Sequence, residues 1–207
     1  LNIFNSTDLL IATHCEDQGI IKENTEKYLT KYGADGDVPL RYHPNIRSTE
    51  ACYQSSELAV RLARIADARL HILHISTAKE LQLLENIPLV EKRITAEACV
   101  SHLLFTSSDY QELGTRIKCN PAIKKKERNA LRDAVNSGLI DVIATDHAPH
   151  LLKDKEGGAL KAASGMPMIQ FSLVSMLGLV DEGVFTIEKI VEKMCHAPAQ
   201  IYEIHNR

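Results

Sequence analysis

Four histidines and one aspartate stand where short apolar runs end. Leu10-Ile-Ala-Thr13 delivers His14, Leu70-His-Ile-Leu73 delivers His74, and Val142-Ile-Ala-Thr145 delivers Asp146, with His147 and His150 just beyond. A buried strand that ends in a carboxylate or an imidazole is costly unless that group is paired, metal-bound or solvated in a cleft. Imidazoles and a carboxylate converging at strand ends suit Zn²⁺. A hydrolytic zinc site needs the metal to lower the pKa of a bound water and a nearby carboxylate to move its proton, and Asp146 is placed for the second task. Single residues at such spacings leave a structural or substrate-contacting role equally open.

The other reactive side chains read more plainly. His71 should point away from or below His74 and serve in packing. His43, His102, His196 and His205 have no constellation around them and read as surface or core residues. The Lys124-Lys-Lys126 run reads as a solvated helix start. Cys15 follows His14 directly, and adjacent strand residues face opposite ways, which argues against a Cys/His dyad.

The elements that must position these residues alternate. Strands are expected over 8–13, 70–75, 94–100 and 139–144. Between and after them, helices are expected over 20–31, 48–66, 77–85, 124–137 and 167–179, with a last one capped by Thr186. Thr77-Ala-Lys-Glu80 is a capping box, and Gly138 is placed to stop a helix. Strand–helix alternation implies an α/β fold with a parallel sheet and right-handed crossovers. Four such units are half of an eightfold barrel. Ligands in parallel α/β folds bind at the C-terminal strand ends, where His14, His74 and Asp146 all lie. A half barrel leaves two open strand edges.

Composition narrows the function. The chain has 207 residues, 44% hydrophobic and 25% charged, as a globular domain has. A net charge of −3 favours neither nucleic acid nor an anionic membrane as a partner. Five cysteines, odd in number and without a CxxC pair, point to a reducing compartment, the cytoplasm. No apolar run is long enough to span a bilayer. The start at Leu1 and the stop after Ile201-Tyr-Glu-Ile204 suggest part of a longer chain.

Four motifs in order carry a resemblance: His14-Cys-Glu-Asp17, His71-Ile-Leu-His-Ile-Ser-Thr77, Asn120-Pro-Ala-Ile-Lys124 and Ala144-Thr-Asp-His-Ala-Pro-His150. Together, from about Leu10 to Asn206, they resemble dihydroorotase, a zinc-dependent cyclic amidohydrolase. The resemblance implies a distorted TIM barrel with one or two Zn²⁺ that interconverts N-carbamoyl-L-aspartate and L-dihydroorotate in pyrimidine biosynthesis. His14 and His74 then resemble the ligands of one zinc. Asp146 resembles the ligand of the other and the general base. Asn120 and His150 resemble substrate contacts, and the backbone at 163–165, with Gly165, falls where the family closes over the ring. The family's His-x-His-x-Arg motif and its bridging carboxylate have no counterpart here. The resemblance therefore implies a single partial TIM (β/α)8 domain over 1–207, equivalent to strands 5–8. The N-terminal half barrel and the closing β domain would be missing, and the chain alone would be inactive and hold zinc weakly. Open edges make a homo-oligomer an expectation. Alternatives are a dihydropyrimidinase- or allantoinase-like enzyme and a non-catalytic scaffold.

Overall fold

The computed structural model describes residues 1–204; His205, read above as a surface or core residue, lies outside them. Four strands form one parallel sheet in the order β1-β2-β3-β4. They are β1 (Ile11–Thr13), β2 (Leu70–Ile72), β3 (Ile94–Cys99) and β4 (Val142–Ala144). Thr13 stands opposite Ile72, Ile72 opposite Ala96, and Cys99 opposite Ala144. Sequential strands are neighbours throughout, so each connection is a crossover of the barrel type. This is the α/β partial barrel that the strand–helix alternation predicts, and among the described residues β1 and β4 have no strand on their outer sides.

Burial across the sheet is uneven: β1, at the edge, is half-buried to exposed, and β2 and most of β3 are enclosed. Leu70 and Ile72 are fully enclosed, as are Ala96 and Ala98 of β3. Each large aliphatic side chain so buried contributes about 1.5–3 kcal/mol. The expected strand over 8–13 loses its first three residues and begins at Ile11, whereas the one over 70–75 stops at Ile72, because the chain turns at His74 to form the site.

Helices cover the outer face. Helix α1 (Gln18–Tyr32) starts at Asp17, whose carboxylate accepts the Ile20 N–H at 2.9 Å. Helix α2 (Thr49–Ile65) starts at Ser48, whose hydroxyl accepts from Ala51 N. A short α3 (Val100–Leu104) follows β3, and α4 (Arg128–Ser137) ends at Gly138 with φ of +88°. Helices α5 (Ser172–Asp181) and α6 (Ile187–Val191) follow β4; α6 is capped by Thr186 as expected and runs through one wide turn, Glu192–His196, into α7 (Ala197–Ile201).

Three expectations are corrected. The helix predicted from Lys124 starts only at Arg128, and Lys124 is buried, not solvated. Its ammonium reaches Ser76 Oγ at 3.3 Å and Ala122 O at 3.2 Å, so the segment before α4 is pulled into the core. The helix predicted over 77–85 is one tight turn, Glu80–Leu83. The capping box exists, with the buried Glu80 carboxylate accepting from Thr77 N and from the Thr77 and Ser56 hydroxyls, but the turn it opens does not extend past Leu83. The helix predicted from Pro167 begins at Ser172, because Met168 and Ile169 are held by turns.

The N-terminal strand ends are locked by charge. Lys92 and Asp141 form a buried ion pair at 2.7 Å, and the other Asp141 oxygen accepts from Ala96 N. Arg69 pairs with Glu203 and donates to Ile201 O, holding the C-terminal segment against β2.

Candidate active site

The three strand-end residues reach the same rim by different routes. His14 directly follows β1, while His74 and Asp146 each stand two residues beyond their strands. Both of the latter have positive φ, +39° for His74 and +43° for Asp146. Such backbone is unfavourable for a side chain with a Cβ and is found where the surroundings impose it. Here the turn swings each residue off its strand axis at the C-terminal end of the sheet.

His14 Nδ1 and His74 Nε2 face each other at 2.8 Å. Burial pushes the His74 pKa down, His14 pushes it further, and the Asp146 carboxylate opposes both. The far nitrogen of His14 lies 3.3 Å from Glu16 Oε2, and the same oxygen pairs with Arg47. Burial alone would raise the Glu16 pKa; the hydrogen bond from His14 and the charge of Arg47 outweigh it and bring it down. His14 is therefore oriented by a carboxylate that is itself held by a guanidinium, the arrangement that fixes ring and tautomer in metal-binding histidines.

Two facing imidazole nitrogens fit zinc as part of a shell. Around tetrahedral zinc, nitrogens about 2.0–2.1 Å from the metal stand about 3.3 Å apart, a small opening of the observed pair. Among the described residues, however, no group of three His, Cys, Asp or Glu side chains gathers closely enough to hold an ion by itself. His14 and His74 would offer a metal two imidazole donors.

The remaining residues named from the sequence lie elsewhere. Asn120 and His150 line a cleft of about 510 Å³ together with His43, Arg47, Lys118 and the 159–164 backbone. His150 Nε2 donates to Ser164 O at 3.0 Å. Asn120 Oδ1 is buried with no hydrogen-bond partner. Gly165 does not line the cleft; it sits behind the wall, where its N–H donates to Lys118 O at 2.8 Å. Its φ is +139°, and a Cβ there would stand 2.5 Å from Ala148 O, so only glycine lets these segments meet. His147 is an exposed residue that accepts from Ile169 N.

Other histidines take structural places. His71 lies below His74 inside the sheet, bridging Thr95 Oγ1 at 2.8 Å and Glu97 Oε2 at 3.1 Å. His43 and His102 are buried, donating to Cys119 O and Pro121 O. Cys15 is buried, and that burial raises its pKa, the opposite of what a nucleophile needs.

Sequence reasoning missed Glu16, Arg47 and Lys118. Glu16 lies within the first motif, but Arg47 and Lys118 sit in segments without a period, where nothing local marks them. Burial, with Lys155 close by, pulls the Lys118 pKa down to about 8. With Arg47, Lys118 and His150 on its walls, the cleft suits an anionic ligand.

Comparison with known proteins agrees with this geometry. The amidohydrolase family model matches residues 3–207. A dihydroorotase of Syntrophus aciditrophicus is 32% identical over 99% of this chain and 46% of its own length. One from Desulfotalea psychrophila is 34% identical over 96% and 46%. The L-hydantoinase (dihydropyrimidinase) of Arthrobacter aurescens superposes with a TM-score of 0.88 at 25% identity, over 99% of this chain and 46% of that one. The Saccharomyces cerevisiae dihydroorotase in complex with 5-fluoroorotic acid superposes at 0.68 over 76% of this chain, at 17% identity, a likeness of fold. The chain thus spans about half the length of the relatives it matches.

Proposed function

The chain belongs to the amidohydrolase family, and from that premise we propose that it forms the half of a dihydroorotase that carries barrel strands 5–8. The whole enzyme would hydrolyse the cyclic amide of L-dihydroorotate to N-carbamoyl-L-aspartate and run the reverse closure in pyrimidine biosynthesis. The observation that carries the reading is the His14–His74 pair at the rim of the sheet, next to a cationic cleft.

In this reading His14 and His74 hold one zinc and Asp146 contributes to a second. Bound zinc would supply a water acidic enough to attack at neutral pH and would polarise the amide carbonyl. Asp146 takes the proton of the attacking water on a carboxylate oxygen and returns it to the departing ring nitrogen. His150 and Arg47 face the substrate carboxylate, and Asn120 and the 163–165 backbone hold the ring. Glu16 keeps His14 turned toward His74. The five free cysteines, four of them buried, suit the reducing cytoplasm; no helix of the described residues is long and apolar enough to cross a membrane.

A hydantoinase-like activity is the second reading, supported by the close superposition on L-hydantoinase. The cationic cleft favours the carboxylate-bearing substrate over a neutral ring. The test is zinc content and turnover of dihydroorotate and dihydrouracil by the 207-residue chain. We expect substoichiometric zinc after dialysis and no turnover, with zinc retention falling further in His14→Ala and His74→Ala. Stoichiometric zinc with turnover would sink the half-site view, and turnover of dihydrouracil alone would move the chain to the hydantoinases.

A further inference from the structure

The cleft has one wall that belongs to no strand or long helix: the segment 156–165, between the 152–155 turn and Met166. Two buried or half-buried charges from opposite sides grip its backbone. From one side, Asp37 presents its carboxylate to four N–H groups: Val38 at 2.8 Å, Gly158 at 2.6 Å, Leu160 at 2.9 Å and Lys161 at 3.3 Å. Asp37 reaches them from a tight turn in which Asp35 and Gly36 have φ of +51° and +72° and Ala34 and Asp37 bond each other's backbone. Lys161 closes the turn by donating to Asp35 O at 2.5 Å.

From the other side, the Lys155 ammonium donates to Lys118 O at 3.0 Å, Ala163 O at 2.8 Å and Gly165 O at 2.8 Å. All three of its protons are used, on carbonyls from two separate segments. Thr115 donates to the Lys155 carbonyl, and Gly165 N donates to Lys118 O. The 118–120 segment that carries Asn120 and the 163–165 segment that abuts His150 are thereby fastened to one cation.

A loop rich in glycine and alanine has little apolar surface to bury and would otherwise be mobile. Charge-assisted bonds to its N–H groups at one end and its carbonyls at the other replace that missing burial. We infer that Asp37 and Lys155 are positioning residues of the cleft: they hold the 157–165 backbone as a preformed wall, so that Asn120, His150 and the loop stay in register without a ligand. This rests on the reading of the cleft as the substrate site. Neither residue touches the ligand; both act through backbone that does.

The test uses the full chain with Asp37→Asn, Lys155→Met and Lys155→Arg. Amide exchange is read by NMR and mass spectrometry, and affinity is read by titration with N-carbamoyl-L-aspartate as the probe. Loss of a hydrogen bond to a charged group should speed exchange about tenfold or more at Gly158, Leu160 and Lys161 in D37N and at Gly165 in K155M. Amides of β2 and β3 should keep their wild-type rates. Probe affinity should fall about fivefold or more in both variants, and K155R, which keeps the charge and several donors, should recover part of it. Unchanged exchange overturns the clamp. Faster exchange with unchanged affinity makes the clamp a matter of stability alone and overturns the positioning role. A wild-type chain that does not bind the probe, with loop exchange accelerated as expected, removes the cleft reading and takes the positioning role with it.

Discussion

Acid should unfold this protein through two histidines that take no part in the proposed chemistry. His43 and His102 are buried and each donates one N–H to a backbone carbonyl, Cys119 O and Pro121 O. Burial drives the His43 pKa down to about 3 and that of His102 to about 4. In the unfolded chain both return to about 6.5. Because the folded values are lower, the unfolded state binds more protons between pH 6.5 and the folded pKa, and stability must fall as pH drops through that window. At pH 5 each imidazole is about 1.5 units below its unfolded pKa and still neutral when folded, a loss of about 2 kcal/mol each relative to pH 7. About 4 kcal/mol in total is a large part of an ordinary domain's stability. Urea unfolding followed by circular dichroism at pH 7 and pH 5 measures the loss directly. The double variant His43→Gln/His102→Gln keeps a donor for each carbonyl and cannot titrate, so it should lose about 4 kcal/mol less between the two pH values. An equal loss in wild type and double variant would refute the assignment of acid sensitivity to these two groups.

Lys92→Met should destabilise strongly, by about 3–5 kcal/mol in urea unfolding, because it leaves the Asp141 carboxylate buried without its cation; adding Asp141→Asn should recover part of the loss, and a cost below about 1 kcal/mol would mean that the pair is open to water. The apolar side chains Ile169, Phe171, Leu173, Val174 and Leu177 stand exposed on and before α5, and among the described residues the outer side of β4 has no strand neighbour, so light scattering after size exclusion should show self-association, and a clean monomer at high concentration would count against a homo-oligomer.

The parts of this molecule that the sequence reveals are those encoded locally. The β-prone runs ending in His14, His74 and Asp146 announce both a strand and the rim of the sheet, because a charged or polar residue directly after a buried run has few other places to go. Thr186 and Gly138 act within one turn, and each is found where its chemistry puts it. What failed was set at long range. Lys124 looks like the first charge of a solvated basic helix, yet Ser76, far away in the chain, draws it inside. Arg47 lies in a segment without periodicity, and its meaning comes only from its distant partners, Glu16 and the cleft wall. Asp37 and Lys155 are invisible for the same reason: each bonds backbone, which carries no residue-type signal. Asn120 and His150 were legible only through their motifs, and their common cleft needed the fold.

His74 and Asp146 have a consequence for how such a chain would drift. Each holds a non-glycine residue at positive φ, a conformation that costs about 1–3 kcal/mol. Glycine would relieve it at either position, and asparagine at 74. A population of variants sorted only for resistance to protease should therefore gain Gly or Asn at 74 and Gly at 146 and become sturdier as it loses its imidazole and carboxylate. Persistence of histidine and aspartate under a different sort, one for binding, would mark the two positions as kept against the grain of stability. The two backbone angles thus turn a sequencing experiment into a test of purpose, one that needs no knowledge of the substrate.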